Sequence, residues 1–277
     1  MKAKLITLLV LSAPCALAAL ALPGAAFARP NLFARPGMAL AQDPPPPVDN
    51  RPELKAMIDE MLGHITKRGK EDHEAIGVID KLVQEFPKCG PKDRGAIVKS
   101  LDRCFSEKRQ EDENGVFDNQ LYIASATALG EMAPESVPVL LSWIGNKAHR
   151  KDLKLQRVLI LKLGKTKNEA GREPLINLLV DKDAQIIAAA AEALGEYSAV
   201  ELKLRKSTFD ELLKVLMGAK GQVDSNPNDT VARERYDMIA APIVTSLTRL
   251  SGHEEHDPNE WQRWWNKNKK EDWDAGK

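Results

Sequence analysis

The tetrapeptide Ala-Leu-Gly-Glu occurs twice, as Ala128-Leu129-Gly130-Glu131 and Ala193-Leu194-Gly195-Glu196, with a degenerate copy, Lys162-Leu163-Gly164-Lys165, between them. The step from Leu129 to Leu163 is about 34 residues and the step from Leu163 to Leu194 about 31. Each copy closes a stretch with helical apolar spacing and is followed by a second apolar stretch. One helix pair cannot bury its apolar face alone, so a repeat of this length predicts pairs stacked into an α-solenoid. The predicted fold is all-α, a right-handed α-α superhelix of antiparallel helix pairs. Gly130, Gly164 and Gly195 are expected to supply the left-handed turn that reverses the chain after each first helix.

The start of the chain has the three-part plan of a secretory signal. Lys2 and Lys4 precede an apolar run over residues 5–22, and Ala26-Phe27-Ala28 ends it with small residues at the positions a signal peptidase reads. Residues 1–28 are therefore expected to be a signal peptide, and the protein exported, periplasmic or extracellular. Ala39-Leu40-Ala41 is a second cleavage candidate, further from the apolar run. If the segment stays attached, roughly 20 apolar residues suffice to hold the chain at a membrane. Residues 29–50, with Arg29-Pro30, Arg35-Pro36 and four prolines in a row, read as a stiff linker.

Forty basic residues balance forty acidic ones, and a neutral chain gives no support to a nucleic-acid partner, which would need a concentrated basic surface. With 29% charged and only 5% aromatic residues, the composition suits a helical globular chain. Beyond the signal the chain has two cysteines, Cys89 and Cys104. Cys89 lies in the turn Pro87-Lys88-Cys89-Gly90-Pro91 and Cys104 near the far end of the next helix. Some twelve helical residues at 1.5 Å each separate them by roughly 18 Å. A disulfide needs Cα atoms within about 7 Å, so two free thiols are expected.

The repeat domain is placed at residues 51–252. Asn50 and Glu53 are spaced as a capping box for a helix with Leu54, Met57, Ile58, Met61, Leu62 and Ile65 on one face. Helices over about 72–86 and 92–105 follow. The charged stretch 106–114 is expected to bury nothing and to form a mobile loop. Clear repeats begin at about residue 118. Within them, Thr208 and Glu211 are spaced as the capping box of a helix over 209–217, and Pro242 is expected to kink or break a helix over 230–250.

Pro174-Leu175-Ile176-Asn177-Leu178-Leu179, then Asp181-Lys182-Asp183, then Ile186 onward to Ala193-Leu194-Gly195, resembles a short, Ala-rich bacterial HEAT repeat. The resemblance is closest over about residues 118–218. It implies a HEAT-like solenoid that binds another protein along a curved face formed by the second helices of successive repeats. Some HEAT-like proteins are chromophore lyases and others bind damaged DNA; export and neutrality speak against the second role. In that family the position after the first apolar residue is usually Arg, paired with an acid in the turn. Tyr122, Gln156 and Ile187 stand there in this chain, so the usual Arg–Asp ladder is not expected.

Residues 253–277 are read as a capping helix and tail. Asp257-Pro258-Asn259-Glu260 is a strong helix start, and Trp261, Trp264 and Trp265 share one face at i, i+3 and i+4. The last repeat of a solenoid has an apolar flank to cover, so these tryptophans are expected to cap it; an aromatic platform for a partner or a carbohydrate is the alternative. His253-Glu254-Glu255-His256-Asp257 carries metal-ligand types, with His253 and His256 as weak candidates, but it lacks the spacing of a zinc helix motif. His64, His73 and His149 are expected at the surface. No nucleophile elbow, phosphate loop or CxxC pair is present. A lyase-type reading would fall to Cys89. The expectation is a non-enzymatic interaction protein with no cofactor and no metal.

Overall fold

A computed structural model describes residues 47–109 and 118–275 of the chain. The expected signal peptide, both cleavage candidates and the linker up to residue 46 lie outside the described residues, as does the charged stretch from residue 110. Among the described residues there are eleven α-helices and no β-strand. They are α1 (Pro52–Ile65), α2 (Asp72–Glu85), α3 (Pro91–Ser106), α4 (Gln120–Leu129), α5 (Val137–Trp143), α6 (Leu153–Lys165), α7 (Glu169–Asn177), α8 (Ala184–Leu194), α9 (Leu202–Ser225), α10 (Thr230–Ser251) and α11 (Pro258–Asn268). The all-α expectation holds.

Packing follows chain order in steps of two. Helix α2 packs on α4, α4 on α6, α6 on α8 and α8 on α10, while α3, α5 and α7 lie against this row and touch in turn. One contiguous apolar core runs through all of them, from Leu54 to Trp261. Helix α8 shows how sequence serves position: it is wedged between α6 and α10, and Ala188, Ala189, Ala190, Ala191 and Ala193 are all buried. Small side chains permit close interaxial approach on two sides at once.

The repeat glycines do not make left-handed turns, which corrects the sequence reading. Gly130 and Gly195 have φ −62° and ψ −20°, and Gly164 lies within α6. Their role is close approach to the next helix of the row. A Cβ on Gly130 would stand 2.9 Å from the Lys162 Cβ, one on Gly164 2.6 Å from the Ala193 Cβ, and one on Gly195 2.6 Å from the Ser246 hydroxyl. Each glycine thus meets the following element of the row at a distance no side chain tolerates. At two of these junctions the residue after the glycine adds an ion pair: Glu131 with Lys165, and Glu196 with Arg249.

Two helix boundaries differ from expectation, and one helix is not broken at its proline. Asn50 does not cap α1; it has φ 61°, and Arg51 occupies the N-cap position without a capping side-chain bond. Two carboxylates are exchanged instead. Asp49 accepts from the Lys92 and Asp93 amides at the start of α3, and Asp93 accepts from the Asn50 and Arg51 amides. Thr208 is internal to α9, which begins at Leu202, because buried Arg205 anchors the added turn by donating to the Leu250 carbonyl and pairing with Asp274. Helix α10 runs unbroken through Pro242, with Ile239, Ile243, Leu247 and Leu250 buried along its length. Continuous burial of that stripe outweighs one missing amide.

Candidate functional site

The described residues form one cleft that combines aromatic walls with buried polar groups, where the end of α3, the start of α4 and the α5–α6 loop converge. Phe105, Tyr122, Trp143 and His149 line it, together with Lys108 and Arg109, around about 410 Å³. Phe105 and Trp143 have ring centroids 5.2 Å apart, Tyr122 and His149 4.7 Å, and Trp143 and His149 5.4 Å. The Trp143 indole donates to Asp102 at 2.6 Å, which fixes the ring plane.

The loop carrying His149 is held by Gln156, one of the residues standing where the HEAT pattern has Arg. Its amide oxygen accepts from the Gly145 N–H at 2.7 Å, and its amide nitrogen donates to the carbonyls of Trp143 and His149. Gly145 turns the chain there with φ 71°, a conformation that favours glycine. Tyr122, another of those residues, donates to the Glu107 carbonyl at 2.6 Å. Side chains at the Arg positions therefore tie down preceding loops, and the third, Ile187, is buried core.

His149 is buried, against the expectation of a surface residue. Its Nε2 lies 2.7 Å from the Phe105 carbonyl oxygen, an acceptor, so Nε2 carries the hydrogen. In the neutral ring Nδ1 is the acceptor, and it is buried without a partner. Arg109 corrects a second expectation, since it belongs to the charged stretch that was to bury nothing. Its side chain is 2% exposed and pairs with Asp72, 8% exposed, at 2.7 Å. It also donates to the Glu107 carbonyl and lies over the Tyr122 ring at 5.7 Å. Asp72 opens α2, where the helix dipole favours a negative charge. Desolvating two charges is tolerated because they neutralise each other, yet Arg109 Nη2 remains buried and unpartnered. Burial raises the Tyr122 pKa and pushes that of the neighbouring Cys104 thiol up to about 11.

These residues carry no sequence motif. Phe105 reads as core, Trp143 as the end of a short helix, and His149 as surface. The legible signal was Ile144-Gly145-Asn146, a turn that stops α5 early and swings the following residues back.

The other sequence candidates lie elsewhere. Cys89 and Cys104 are free thiols, both buried. Cys89 donates to the Glu85 carbonyl at 3.2 Å, and burial raises its pKa, so the nucleophilic thiolate is disfavoured. His253 stacks on Trp264 at 4.9 Å with rings 7° from parallel, and His256 is exposed. Among the described residues no group of three His, Cys, Asp or Glu could hold a metal ion, and no helix is long and apolar enough to cross a membrane. His64 bonds Glu71 at 2.8 Å and His73 is exposed.

The tryptophans of α11 surround one residue of α9. Phe209 has Trp261, Trp264, Trp265 and Trp273 within 5.0–5.7 Å, ring centre to ring centre. Trp261 is fully buried and the other three half-buried. Asp257 caps α11 by accepting from the Asn259 amide, as its spacing predicts. The tail returns to α9, with Asp274 paired to Arg205 and the Lys206 ammonium 5.3 Å over the Trp273 ring.

Comparison of the chain with family models, with curated proteins and with solved structures finds no match.

Proposed function

We propose that this chain is an exported, non-enzymatic protein-binding scaffold, built as a right-handed superhelix of HEAT-like helix pairs. The observation that carries the reading is the packing order, in which α2, α4, α6, α8 and α10 each contact the next. At three of those junctions a glycine, Gly130, Gly164 or Gly195, is set against the following element. Elements that touch only their neighbours leave long outer faces for a partner. The tryptophan cluster of α11 fits the role of a terminal cap on α9. Zero formal charge offers no electrostatic reason for nucleic acid, and a membrane enters only if the N-terminal apolar segment remains attached.

The test is crosslinking of the tagged full-length protein in its native envelope, followed by N-terminal sequencing of the recovered chain. The expected result is one reproducible protein partner, with crosslinks along several successive helices and a first residue of Arg29. Repeated recovery of the chain without any macromolecular partner would overturn the reading. A second reading, a HEAT-like lyase using Cys89, is disfavoured by the burial of that thiol; alkylation much faster than that of a free thiol would revive it, and a rate near or below it weakens it further.

A further inference from the structure

We infer that the α5–α6 loop is the docking surface for an acidic segment of a partner protein. Residues 147–154 read Lys-Ala-His-Arg-Lys-Asp-Leu-Lys, and Lys147, Arg150, Lys151 and Lys154 are all exposed. None of the four pairs with an acid among the described residues. The carboxylates close to them in the chain and the fold are occupied elsewhere. Asp152 accepts from the Leu155 amide at 3.0 Å and from the Asn119 side chain at 2.8 Å, and Asp118 accepts from the Gln120 amide. In a chain whose forty bases balance forty acids, the loop is a local concentration of uncompensated positive charge. Lys108 adds to it, being exposed and lining the same cleft as Ala148 and His149.

Singly, exposed cations are ordinary surface. Two features distinguish these. The loop is held from within: the buried His149 ring bonds the Phe105 carbonyl, and Gln156 ties Gly145, Trp143 and His149 together. Bonds from the Arg150 amide to the Asn146 carbonyl, 2.8 Å, and from the Asp152 amide to the His149 carbonyl, 3.0 Å, close its turns. Cations on a fixed backbone bind an acidic segment with less loss of freedom than the same residues on a mobile loop. The second feature is an apolar cleft of about 270 Å³ beside the loop, where Arg150 stands with Ile144, Leu153, Leu178 and Ile186. Ile144, Leu153 and Leu178 are only partly buried. That volume is below the range of small-molecule sites and suits an apolar side chain of a polypeptide. Asp181 and Asp183, on the α7–α8 turn, line the same cleft, so the partner's acids belong over the loop and its apolar residue beyond Arg150. A polyanion without apolar side chains, such as nucleic acid, would leave that cleft unfilled.

This inference rests on the scaffold reading and gives it a place and a partner chemistry. The test is fluorescence anisotropy of the full chain with three labelled probes: a dodecapeptide repeating Glu-Asp-Leu, the same peptide with Gln and Asn in place of the acids, and a single-stranded oligonucleotide of equal charge. Saturable binding of the acidic peptide, at least about tenfold tighter than the other two, is the expected result. Lys147→Glu, Arg150→Glu and Lys151→Glu combined should weaken it by at least about tenfold. The matched control, Lys55→Glu, Lys67→Glu and Lys70→Glu in and just after α1, makes the same change in net charge at exposed positions and should bind as the parent does. Circular dichroism checks that the helices persist in both variants. Equal loss in the two variants, an oligonucleotide that binds as tightly as the peptide, or saturation by no peptide would overturn the inference. So would self-association that the loop substitutions abolish, since the surface would then belong to a second copy of the chain. Envelope crosslinking separates this failure from that of the scaffold reading: a protein partner recovered equally by the parent and the loop variant rules out the loop and spares the scaffold.

Discussion

A methyl group added at Gly164 would stand 2.6 Å from the Ala193 Cβ and 2.7 Å from its Cα and carbonyl oxygen, all in the neighbouring helix. Backbone atoms cannot rotate aside as a lysine end can, so α6 and α8 must separate. Gly164→Ala is therefore expected to lose about 1–3 kcal/mol, an overpacking penalty larger than the helix propensity it gains. Gly218, inside α9, has nothing within 4 Å of its added Cβ. The same substitution there should stabilise by about 0.5–1 kcal/mol. Thermal melts of the two variants should move in opposite directions; matching shifts would refute the close-approach role. Tyr197 gives a pH prediction. It is fully buried, donates to the Asn168 carbonyl at 2.9 Å, and burial raises its pKa to about 12. Below pH of about 10 both folded and unfolded chains keep the phenol proton, and its contribution is intact. Above that the unfolded chain releases the proton and the folded chain does not, so stability falls as pH rises from about 10 toward 12. Tyr197→Phe should flatten that part of the alkaline unfolding curve.

Helix α11 is a separable element, because its principal neighbour is α9 and its anchor is Trp261 against Phe209. Trp261→Ala removes a fully buried indole, a change that typically costs about 3–5 kcal/mol. Much of that loss should appear as undocking of α11, with its amides exchanging rapidly while α1–α3 stay protected. Hydrogen exchange resolved by helix measures this directly, and unchanged protection of α11 would show that the tryptophans do not cap α9. How much of each element was legible depended on how local its causes are. The start of α11 was readable because Asp257, Pro258 and the first-turn acid act within four residues. The start of α9 was not. The Thr208 and Glu211 spacing is a local signal, and it yields to Arg205, whose partners Leu250 and Asp274 are 45 and 69 positions away. Pro242 does not break α10 for the same reason, since the burial that holds the helix together comes from α8 and α9. The cleft was the least readable feature: Arg109 and His149 acquire their roles only when Asp72, Phe105 and Tyr122 arrive from three other helices.

At the scale of the whole molecule, the packing order predicts that stability is transmitted from neighbour to neighbour. Helix α6 touches α4 and α8, α8 touches α6 and α10, and α2 reaches α8 only through the helices between them. In such an array the free energy of each unit is its own plus that of its junctions, and damage spreads with distance. A globule with one all-or-none core behaves otherwise, losing protection everywhere at once. The Gly164→Ala junction defect separates the two cases. Protection against hydrogen exchange should fall most in α6 and α8, less in α4 and α10, and least in α1 and α2. A graded profile is the expected outcome for stacked pairs. If one substitution at Gly164 instead lowered the protection of all eleven helices by the same factor, the chain would be a single cooperative core, and the scaffold reading would lose its physical basis.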